Sequence, residues 1–210
     1  MPISAKKSLI KLGEEILTCK KCLDLVKIRK QPVPGKGAYT ARLIITGYYP
    51  SRNGSEATGI PFTNDDEGSI VRKLIHQAGL SLDNDVFLTY LVKCSPGKKE
   101  EKDAGSFRQG QIPSAKHIVN CLGYLTEEIS IITPHIIIAL GLSTSSIILE
   151  RFFSIDKKSK DMAKLHMRLF ENPSFKLVPF YSPKEVIMGN VSETKYFDDF
   201  KTLARLFAVI

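Results

Sequence analysis

Four cysteines are the residues of this chain whose type and spacing most directly suggest chemistry. Cys19 and Cys22 form a Cys-Lys-Lys-Cys motif, whereas Cys94 and Cys121 lie far along the chain. Disulfides are disfavoured in a reducing cytosol, and three of the four cysteines fall at predicted element ends or loop edges, where ligands can converge. We therefore predict a metal centre, either structural zinc or an iron–sulfur cluster; one CxxC motif with two dispersed partners favours iron–sulfur. Cys121 alone could instead be a core cysteine.

The stretch at residues 47–65, GYYPSRNGSEATGIPFTND, is the second candidate for chemistry. It joins the apolar run at 43–45 to a helical pattern, so we predict a long strand-to-helix loop, and such loops often carry function. Its glycines, its prolines, Phe62 and its acidic end suit close backbone approach to a ligand beside a stacking ring and a charge. Two other interpretations stay open, namely Phe62 as a core side chain and Asp65 or Asp66 as the N-cap of the helix.

Alternating strands and helices must position these groups. Apolar runs predict strands at residues 43–46, 86–92, 135–140 and 175–181. Apolar residues at helical spacing predict helices at residues 5–18, 70–78, 113–129, 143–153 and 195–207. The segments at residues 24–41, 95–111 and 182–192 are predicted to be irregular. This order predicts an α/β fold with a parallel sheet covered on both faces and functional loops at the carboxyl ends of the strands.

Length and composition limit the class of protein. At 210 residues with 43% hydrophobic content, the chain predicts one domain spanning residues 1–210, which we expect to be a monomer. No apolar stretch approaches the roughly 20 residues of a membrane span, and the N-terminus lacks the apolar core of a signal peptide, so we expect a soluble, cytoplasmic protein. The formal charge of +8 suits a polyanionic partner such as nucleic acid, although a merely basic surface has the same charge. No GxGxxG or P-loop pattern follows the first predicted strand, which argues against a doubly wound nucleotide-binding protein.

The chain resembles the uracil-DNA glycosylase superfamily, specifically its iron–sulfur branches, families four and five. The resemblance covers nearly the whole chain, and its motifs are Cys-Lys-Lys-Cys at 19–22, the loop at 47–65, Val-Lys-Cys-Ser-Pro at 92–96, the helix containing Cys121, and Ile-Ala-Leu-Gly at 138–141. The Thr-Gly-x-x-Phe-Thr-x-Asp ending of the loop looks closest to family five, whereas its Gly-x-x-Pro opening is shared by both. The resemblance implies a three-layer α/β/α sandwich with a four-stranded parallel sheet and a 4Fe-4S cluster on the four cysteines. It also implies excision of uracil or a related deaminated base from DNA in base-excision repair.

The resemblance implies roles for residues of the loop. A glycosylase must flip a base from the stack, grip it, and stabilise both a cationic sugar and a departing base anion. Phe62 would stack on the flipped base, and Asp65 would orient water or stabilise the sugar. The backbone amides around Gly47 and Tyr48 could bind the base or a phosphate.

Four positions depart from the family pattern. Tyr90 stands where an asparagine usually reads the base edge, and Ser182 stands where a histidine is usual, which makes Ser182 the second candidate catalytic residue. Tyr48 replaces the acid that family four uses, and Tyr49 is bulky where alanine is expected. Tyrosine and serine can form hydrogen bonds, but neither matches the capacity of histidine to stabilise a developing anion. Two functions therefore remain open: a DNA glycosylase, and a non-catalytic DNA-binding or scaffold protein that keeps the cluster and the basic face.

DNA contacts are predicted at basic residues that flank the strand ends and at one apolar segment. The candidate phosphate ligands are Arg29, Lys30, Arg52, Lys93 and Lys184. Val186, Ile187 and Met188 could enter the duplex as a wedge, with buried loop packing as the alternative. The lysine run at residues 157–164 is predicted to be a solvated face.

Overall fold

The computed structural model describes residues 2–97, 112–155 and 161–208, and part of the predicted loop at 95–111 and of the lysine run at 157–164 lies outside them. Its strands are β1 (Lys36–Gly37), β2 (Leu43–Gly47), β3 (Val86–Tyr90), β4 (Ile136–Leu140), β5 (Phe170–Glu171) and β6 (Lys176–Phe180). They form one sheet in the order β1-β3-β2-β4-β6-β5. The four central strands are parallel, and each edge carries a two-residue antiparallel strand. The predicted fold class is confirmed, and the two edge strands extend the predicted four-stranded sheet.

Complete burial explains why the central strands are apolar runs rather than alternating patterns. Every residue of β2, β3 and β4 is buried, because helices cover both faces of the sheet. The register places Gly47 beside Tyr90 and Leu140 beside Phe180 at the carboxyl ends of the strands. The loops that follow these four residues therefore begin next to one another.

Eight helices in the described part of the chain, together with one 3-10 turn, surround the sheet. They are α1 (Pro2–Leu17), α2 (Leu23–Ile28), α3 (Ser55–Thr58), α4 (Asp66–Gln77), α5 (Ala115–Ile132), α6 (Leu142–Phe153), α7 (Pro183–Ile187) and α8 (Glu193–Ala208), and the turn is Met162–Lys164. Residues of α1, α5 and α6 pack with Ile44 and Ile137 in one core layer. Residues of α4 and α8 pack with Ile45 and Ile138 in the other layer, because successive strand residues face opposite sides of a sheet.

The predicted and observed element boundaries differ mainly in the connections. The segment at 24–41, predicted to be irregular, contains most of α2 and the edge strand β1, and the segment at 182–192 contains α7. The second predicted strand ends at Tyr90 rather than at residue 92. No helix in the described ranges is long and apolar enough to cross a membrane.

Candidate functional site

A cleft of about 730 Å³ opens where the four parallel strands end. Its walls include residues at or just after the ends of all four strands, namely Gly47, Tyr90, Leu140 and Tyr181. The predicted catalytic, base-binding and DNA-binding residues that line it are Gly47, Tyr48, Tyr49, Phe62, Asp65, Tyr90, Ser182 and Lys184. The structure thus brings the predicted catalytic and base-binding residues to one place, as expected for functional loops at the carboxyl edge of a parallel sheet.

Asp65 combines the two roles that the sequence left open. It is the N-cap of α4, where its Oδ1 accepts a hydrogen bond from the Gly68 amide at 2.6 Å, and it also lines the cleft. Its Oδ2 accepts a hydrogen bond from the Ser51 hydroxyl. The packing around this carboxylate is close, because a Cβ on Gly54 would overlap the same Oδ2. The fold therefore holds the carboxylate of Asp65 in one orientation.

Glu67 is a cleft carboxylate that the sequence analysis missed. It lines the cleft, and it accepts no hydrogen bond from the residues that the structure describes. Desolvation between the cleft walls is the largest cause that raises the pKa of Glu67; the charge of Asp65 raises it further, and Lys184 lowers it. The side chain remains open to solvent within the cleft, so water screens part of this effect. The acidic run at 65–67 was the available signal, but the sequence predicted a catalytic or capping role for Asp65 and a capping role for Asp66, and no role for Glu67.

Phe62 is held rigidly, and almost none of its surface is free. Its side chain is 3% exposed, and its ring lies 4.6 Å from the Tyr90 ring at an interplanar angle of 30°. Phe62 has a positive φ of 53°, and Arg72 stabilises this turn by donating to the carbonyls of Pro61 and Phe62 at 3.0 and 2.8 Å. A Cβ on Gly47 would lie 3.0 Å from the Phe62 ring, so the backbone of Gly47 also closes on this ring. Phe62 is thus both a core residue and a wall of the cleft.

The hydroxyl of Tyr90 is engaged inside the protein. It accepts a hydrogen bond from the Phe62 amide at 3.1 Å and pairs with the Ser55 hydroxyl at 2.9 Å. Burial is the largest cause that raises the pKa of Tyr90, so this hydroxyl stays protonated at neutral pH. The polar group of Tyr90 already ties the strand end to the 47–65 loop, which argues against the base-edge role of the asparagine that the family usually has at this position.

Tyr90→Phe tests this structural role. We expect the variant to lose about 1 to 2 kcal/mol of unfolding free energy, because the buried Phe62 amide and the Ser55 hydroxyl lose a partner. Preference among damaged bases should not change. Chemical denaturation and competition between base substrates measure the two effects; altered base preference with unchanged stability would show that the hydroxyl does read the base.

Tyr48, Tyr49 and Ser182 occupy other walls of the cleft. The two tyrosine rings are half-buried and meet edge to face at 5.3 Å, and the Tyr48 hydroxyl donates to the Pro113 carbonyl at 3.3 Å. Ser182 is the N-cap residue of α7, but its side chain makes no hydrogen bond to that helix. A Cβ on Gly141 would lie 3.2 Å from the Cβ of Ser182, so this serine lies against the start of α6. Ser182 therefore has a polar group in the cleft that the helix does not use.

Lys93 does not fit its predicted role as a phosphate ligand. Its side chain is 1% exposed, and its Nζ donates to the two Glu128 carboxylate oxygens at 2.9 and 2.8 Å. The Thr89 hydroxyl donates to the same carboxylate at 2.8 Å. A buried and fully paired ammonium cannot reach DNA, so Lys93 stabilises the join between β3 and α5 instead.

Lys93→Met should destabilise the protein strongly. The substitution leaves the carboxylate of Glu128 buried without its counter-charge, and breaking such a pair costs about 3 to 5 kcal/mol. The double variant Lys93→Met/Glu128→Leu should recover most of that loss, because no charge then remains buried. Denaturant titration measures both changes. A single variant as stable as the unchanged protein would contradict the buried pair.

Arg29, another predicted phosphate ligand, uses its guanidinium for hydrogen bonds within the protein. Its guanidinium donates to the Cys94 sulfur at 3.2 Å and to the Cys19 carbonyl at 2.5 Å. Lys30 is exposed, with its Nζ 3.5 Å from the Asn53 side chain, and Arg52 donates to the Ile28 carbonyl. Of the five predicted phosphate ligands, Lys184 is the exposed one that lines the cleft, whereas Lys30 and Arg52 do not line it and remain candidates.

The predicted wedge divides into a packed residue and two exposed ones. Val186 packs against the core layer that contains α4 and α8. Ile187 and Met188 are exposed, Met188 by 61%, and the chain turns at Gly189 with a φ of 74°. The exposed apolar tip of α7 is therefore Ile187 and Met188, and the wedge role of Val186 is not supported by its position.

The four cysteines line one small pocket beside the sheet. Cys19 follows α1, Cys22 is the N-cap of α2, Cys94 follows β3 and Cys121 lies within α5. All four are free thiols, and burial is the main cause that raises the pKa of Cys94 to about 11 and that of Cys121 to about 12. The convergence of four cysteines that are far apart in sequence agrees with a shared site rather than with isolated core cysteines.

Nitrogen donors point at three of the four sulfurs. The Lys93 amide lies 3.2 Å from the Cys121 sulfur and the Asn120 side chain 3.4 Å from the Cys22 sulfur, in addition to the Arg29 contact with Cys94. Hydrogen bonds of this kind are typical of thiolate ligands in iron–sulfur proteins. Among the described residues, no group of three or more His, Cys, Asp or Glu side chains is arranged to hold a metal ion. Four cysteines in one pocket, with nitrogen donors to three of their sulfurs, form a donor set that fits a thiolate-bound metal group.

Glu56 connects the cleft loop to the cysteine pocket. Its buried carboxylate accepts hydrogen bonds from the Ser95 amide at 2.9 Å and the Lys30 amide at 3.2 Å. Desolvation is the largest cause that raises the pKa of Glu56, and the nearby Arg52 and Arg29 partly oppose it. Through this carboxylate, α3 is attached directly to the segment that carries Cys94.

Comparisons with known proteins agree with this geometry. The family model described as the uracil DNA glycosylase superfamily matches residues 34–203. A type-4 uracil-DNA glycosylase of Sulfurisphaera tokodaii is 30% identical over 204 residues, which is 95% of this chain and 84% of that protein. A type-4 uracil-DNA glycosylase of Saccharolobus solfataricus is 33% identical over 160 residues, 76% of this chain and 66% of that protein. A type-5 uracil-DNA glycosylase of Thermus thermophilus is 36% identical over 103 residues, 44% of this chain and 47% of that protein. Both types that the sequence resembled are therefore among its relatives.

Proposed function

Because this chain belongs to the uracil DNA glycosylase superfamily, we propose that it hydrolyses the N-glycosidic bond of uracil or a related deaminated base in DNA. The observation that carries the proposal is the cleft at the carboxyl edge of the sheet, where Asp65, Ser182 and aromatic rings meet. Its relatives are named for uracil-DNA glycosylase activity.

In the proposed reaction, the residues of the cleft have separate roles. A flipped base enters beside Phe62 and Tyr49, and the backbone amides near Gly47 hold the base or its phosphate. The carboxylate of Asp65, which lines the cleft, stabilises the positive charge that develops on the sugar as the bond to the base breaks. Ser182 donates a hydrogen bond to the departing base, whose negative charge needs a donor. Serine is a weaker donor than an imidazolium, so we expect slow turnover.

We propose that the partner is damaged DNA and that the protein acts as a single-domain monomer in the cytoplasm. Lys184, Lys30 and Arg52 would contact phosphates, and Ile187 with Met188 would fill the gap that the flipped base leaves. The described residues share one sheet with two core layers, which supports one domain.

We also propose that Cys19, Cys22, Cys94 and Cys121 hold a 4Fe-4S cluster, with structural zinc as the alternative. The pocket they share and the donors to their sulfurs support this assignment. When bound, such a cluster would join the N-terminal segment to β3 and α5. Its role would be structural, because the cysteines do not line the cleft.

One assay separates the proposed enzyme from a non-catalytic DNA-binding protein. Oligonucleotides containing uracil, hypoxanthine or xanthine are incubated with the protein and then cleaved with alkali at abasic sites. We expect alkali-dependent breaks at one or more of these bases. No break on any substrate, with salt-sensitive DNA binding intact, would favour the binding function, for which the burial of Phe62 beneath Tyr90 is the supporting observation.

A further inference from the structure

The two carboxylates at the first turn of α4 differ in what already binds them. Both oxygens of Asp65 accept hydrogen bonds, one from Ser51 and one from the Gly68 amide. Glu67 lines the same cleft, and no hydrogen bond to its carboxylate comes from the described part of the chain. Asp65 is therefore fixed by the fold, whereas Glu67 offers free acceptor oxygens to whatever enters the cleft.

The charge of Glu67 acts on side chains from several elements around the cleft. The negative charge of Glu67 contributes to raising the pKa of Tyr49, Tyr90 and Tyr196, although burial is the larger cause in each case. These tyrosines come from three different elements, after β2, at the end of β3 and on α8. The other titratable or charged side chains that line the cleft are Tyr48, Asp65, Asp161, Tyr181, Lys184 and Glu185.

We propose that Glu67 is a second catalytic carboxylate, which accepts a proton from the water that attacks the sugar; this rests on the proposed glycosylase function. In the step, the water oxygen bonds to C1′ of the deoxyribose, and one water proton passes to the Glu67 carboxylate. The bond between C1′ and the base nitrogen breaks, and its electron pair leaves with the base. Glu67 then releases this proton, directly or through solvent water, to the base anion, which returns the carboxylate to its starting state. Asp65 supplies negative charge to the sugar, so the two carboxylates have separate roles.

The environment of Glu67 suits a general base. Desolvation and Asp65 raise its pKa, which makes the carboxylate a stronger proton acceptor than an ordinary glutamate. Because the base must be ionised, the rate should fall as the pH falls through this raised pKa. The acid limb of the pH profile should therefore lie above the ordinary range for a glutamate.

Glu67→Gln tests the proposal, with Asp66→Asn as the matched control. Glutamine has the same shape but cannot accept the proton, so we expect kcat for base release to fall about 100-fold or more with little change in KM. The acid limb that belongs to Glu67 should disappear. Asp66 is exposed in the same helical turn and does not line the cleft, so its variant removes an equal charge and should keep the normal rate and pH profile.

The outcomes are distinguishable. If the Glu67→Gln variant keeps kcat within a few-fold of the parent value and its pH profile has the same acid limb, the proposed role of Glu67 is wrong. The proposed glycosylase function is not affected by that result. A rate loss accompanied by a lower unfolding temperature also overturns it, because the effect would then be structural. If the unsubstituted protein releases no base from any of the three substrates, the proposed function itself fails.

Discussion

Replacing Asp65 with asparagine should lower the rate of base excision about 100-fold or more while leaving the protein nearly as stable as before. The rate falls because the neutral amide no longer stabilises the cationic sugar, and loss of one electrostatic contact of this kind has an effect of that size. Stability should change little because asparagine caps helices about as well as aspartate and can accept from the Gly68 amide. Single-turnover kinetics and thermal unfolding measure the two effects.

Asp65→Ala provides the comparison that separates charge from capping. This variant should lose the rate and in addition about 1 to 2 kcal/mol of stability, since the cap of α4 and the contact with Ser51 both disappear. Asp66→Ala, one residue later, should change neither quantity measurably. If Asp65→Asn excised bases as fast as the parent protein, Asp65 would be a helix cap alone.

Cys94→Ser should remove the proposed metal centre and with it much of the stability of the N-terminal segment. Serine is a poor ligand for iron, and three cysteines leave the site incomplete. Because metal binding and folding are coupled, the variant should be colourless and should unfold at a clearly lower temperature. Iron and sulfide analysis, visible absorbance and thermal unfolding are the measurements, with about four iron atoms expected per unsubstituted chain.

Asn120→Ala serves as the milder comparison at the same pocket. It removes the donor to the Cys22 sulfur and keeps all four cysteines, so iron content should be retained. The unsubstituted protein should be purified without oxygen. If it is then colourless and contains one zinc ion per chain, the site binds structural zinc rather than an iron–sulfur cluster. Stable protein with neither metal would contradict a metal centre altogether.

The sequence predicted the sheet and the cleft loop because their signals are local. Fully apolar runs such as Ile136–Leu140 are typical of strands buried on both faces, and the glycine-rich loop follows the strand at Leu43–Gly47. The helix Leu23–Ile28 was missed because six residues are too few to show helical periodicity. The same reason applies to Pro183–Ile187.

The errors at the site came from partners that are distant in sequence. Lys93 was predicted to face DNA because its position follows a strand, but Glu128, 35 residues later, neutralises it in the core. Arg29 donates a hydrogen bond to the sulfur of Cys94, which lies 65 residues later in the sequence. The hydroxyl of Tyr90 pairs with Ser55, which no local pattern links to it. Sequence patterns identify which groups can do chemistry, whereas tertiary pairing decides which of them remain free to do it.

Glu67 is the opposite case, a residue that lines the cleft but that no local sequence pattern identified. Its neighbours Asp65 and Asp66 were recognised as possible caps, and only the observed start of α4 shows that Glu67 follows the cap by two residues and reaches the cleft.

Release of free base is the most direct test of the glycosylase assignment. A uracil-containing oligonucleotide is mixed with an excess of the protein, and the free base is quantified by mass spectrometry together with abasic sites. We expect free uracil, or the corresponding base from a hypoxanthine or xanthine oligonucleotide, in an amount equal to the abasic sites formed. Binding of all three oligonucleotides with no base released from any of them would contradict the assignment.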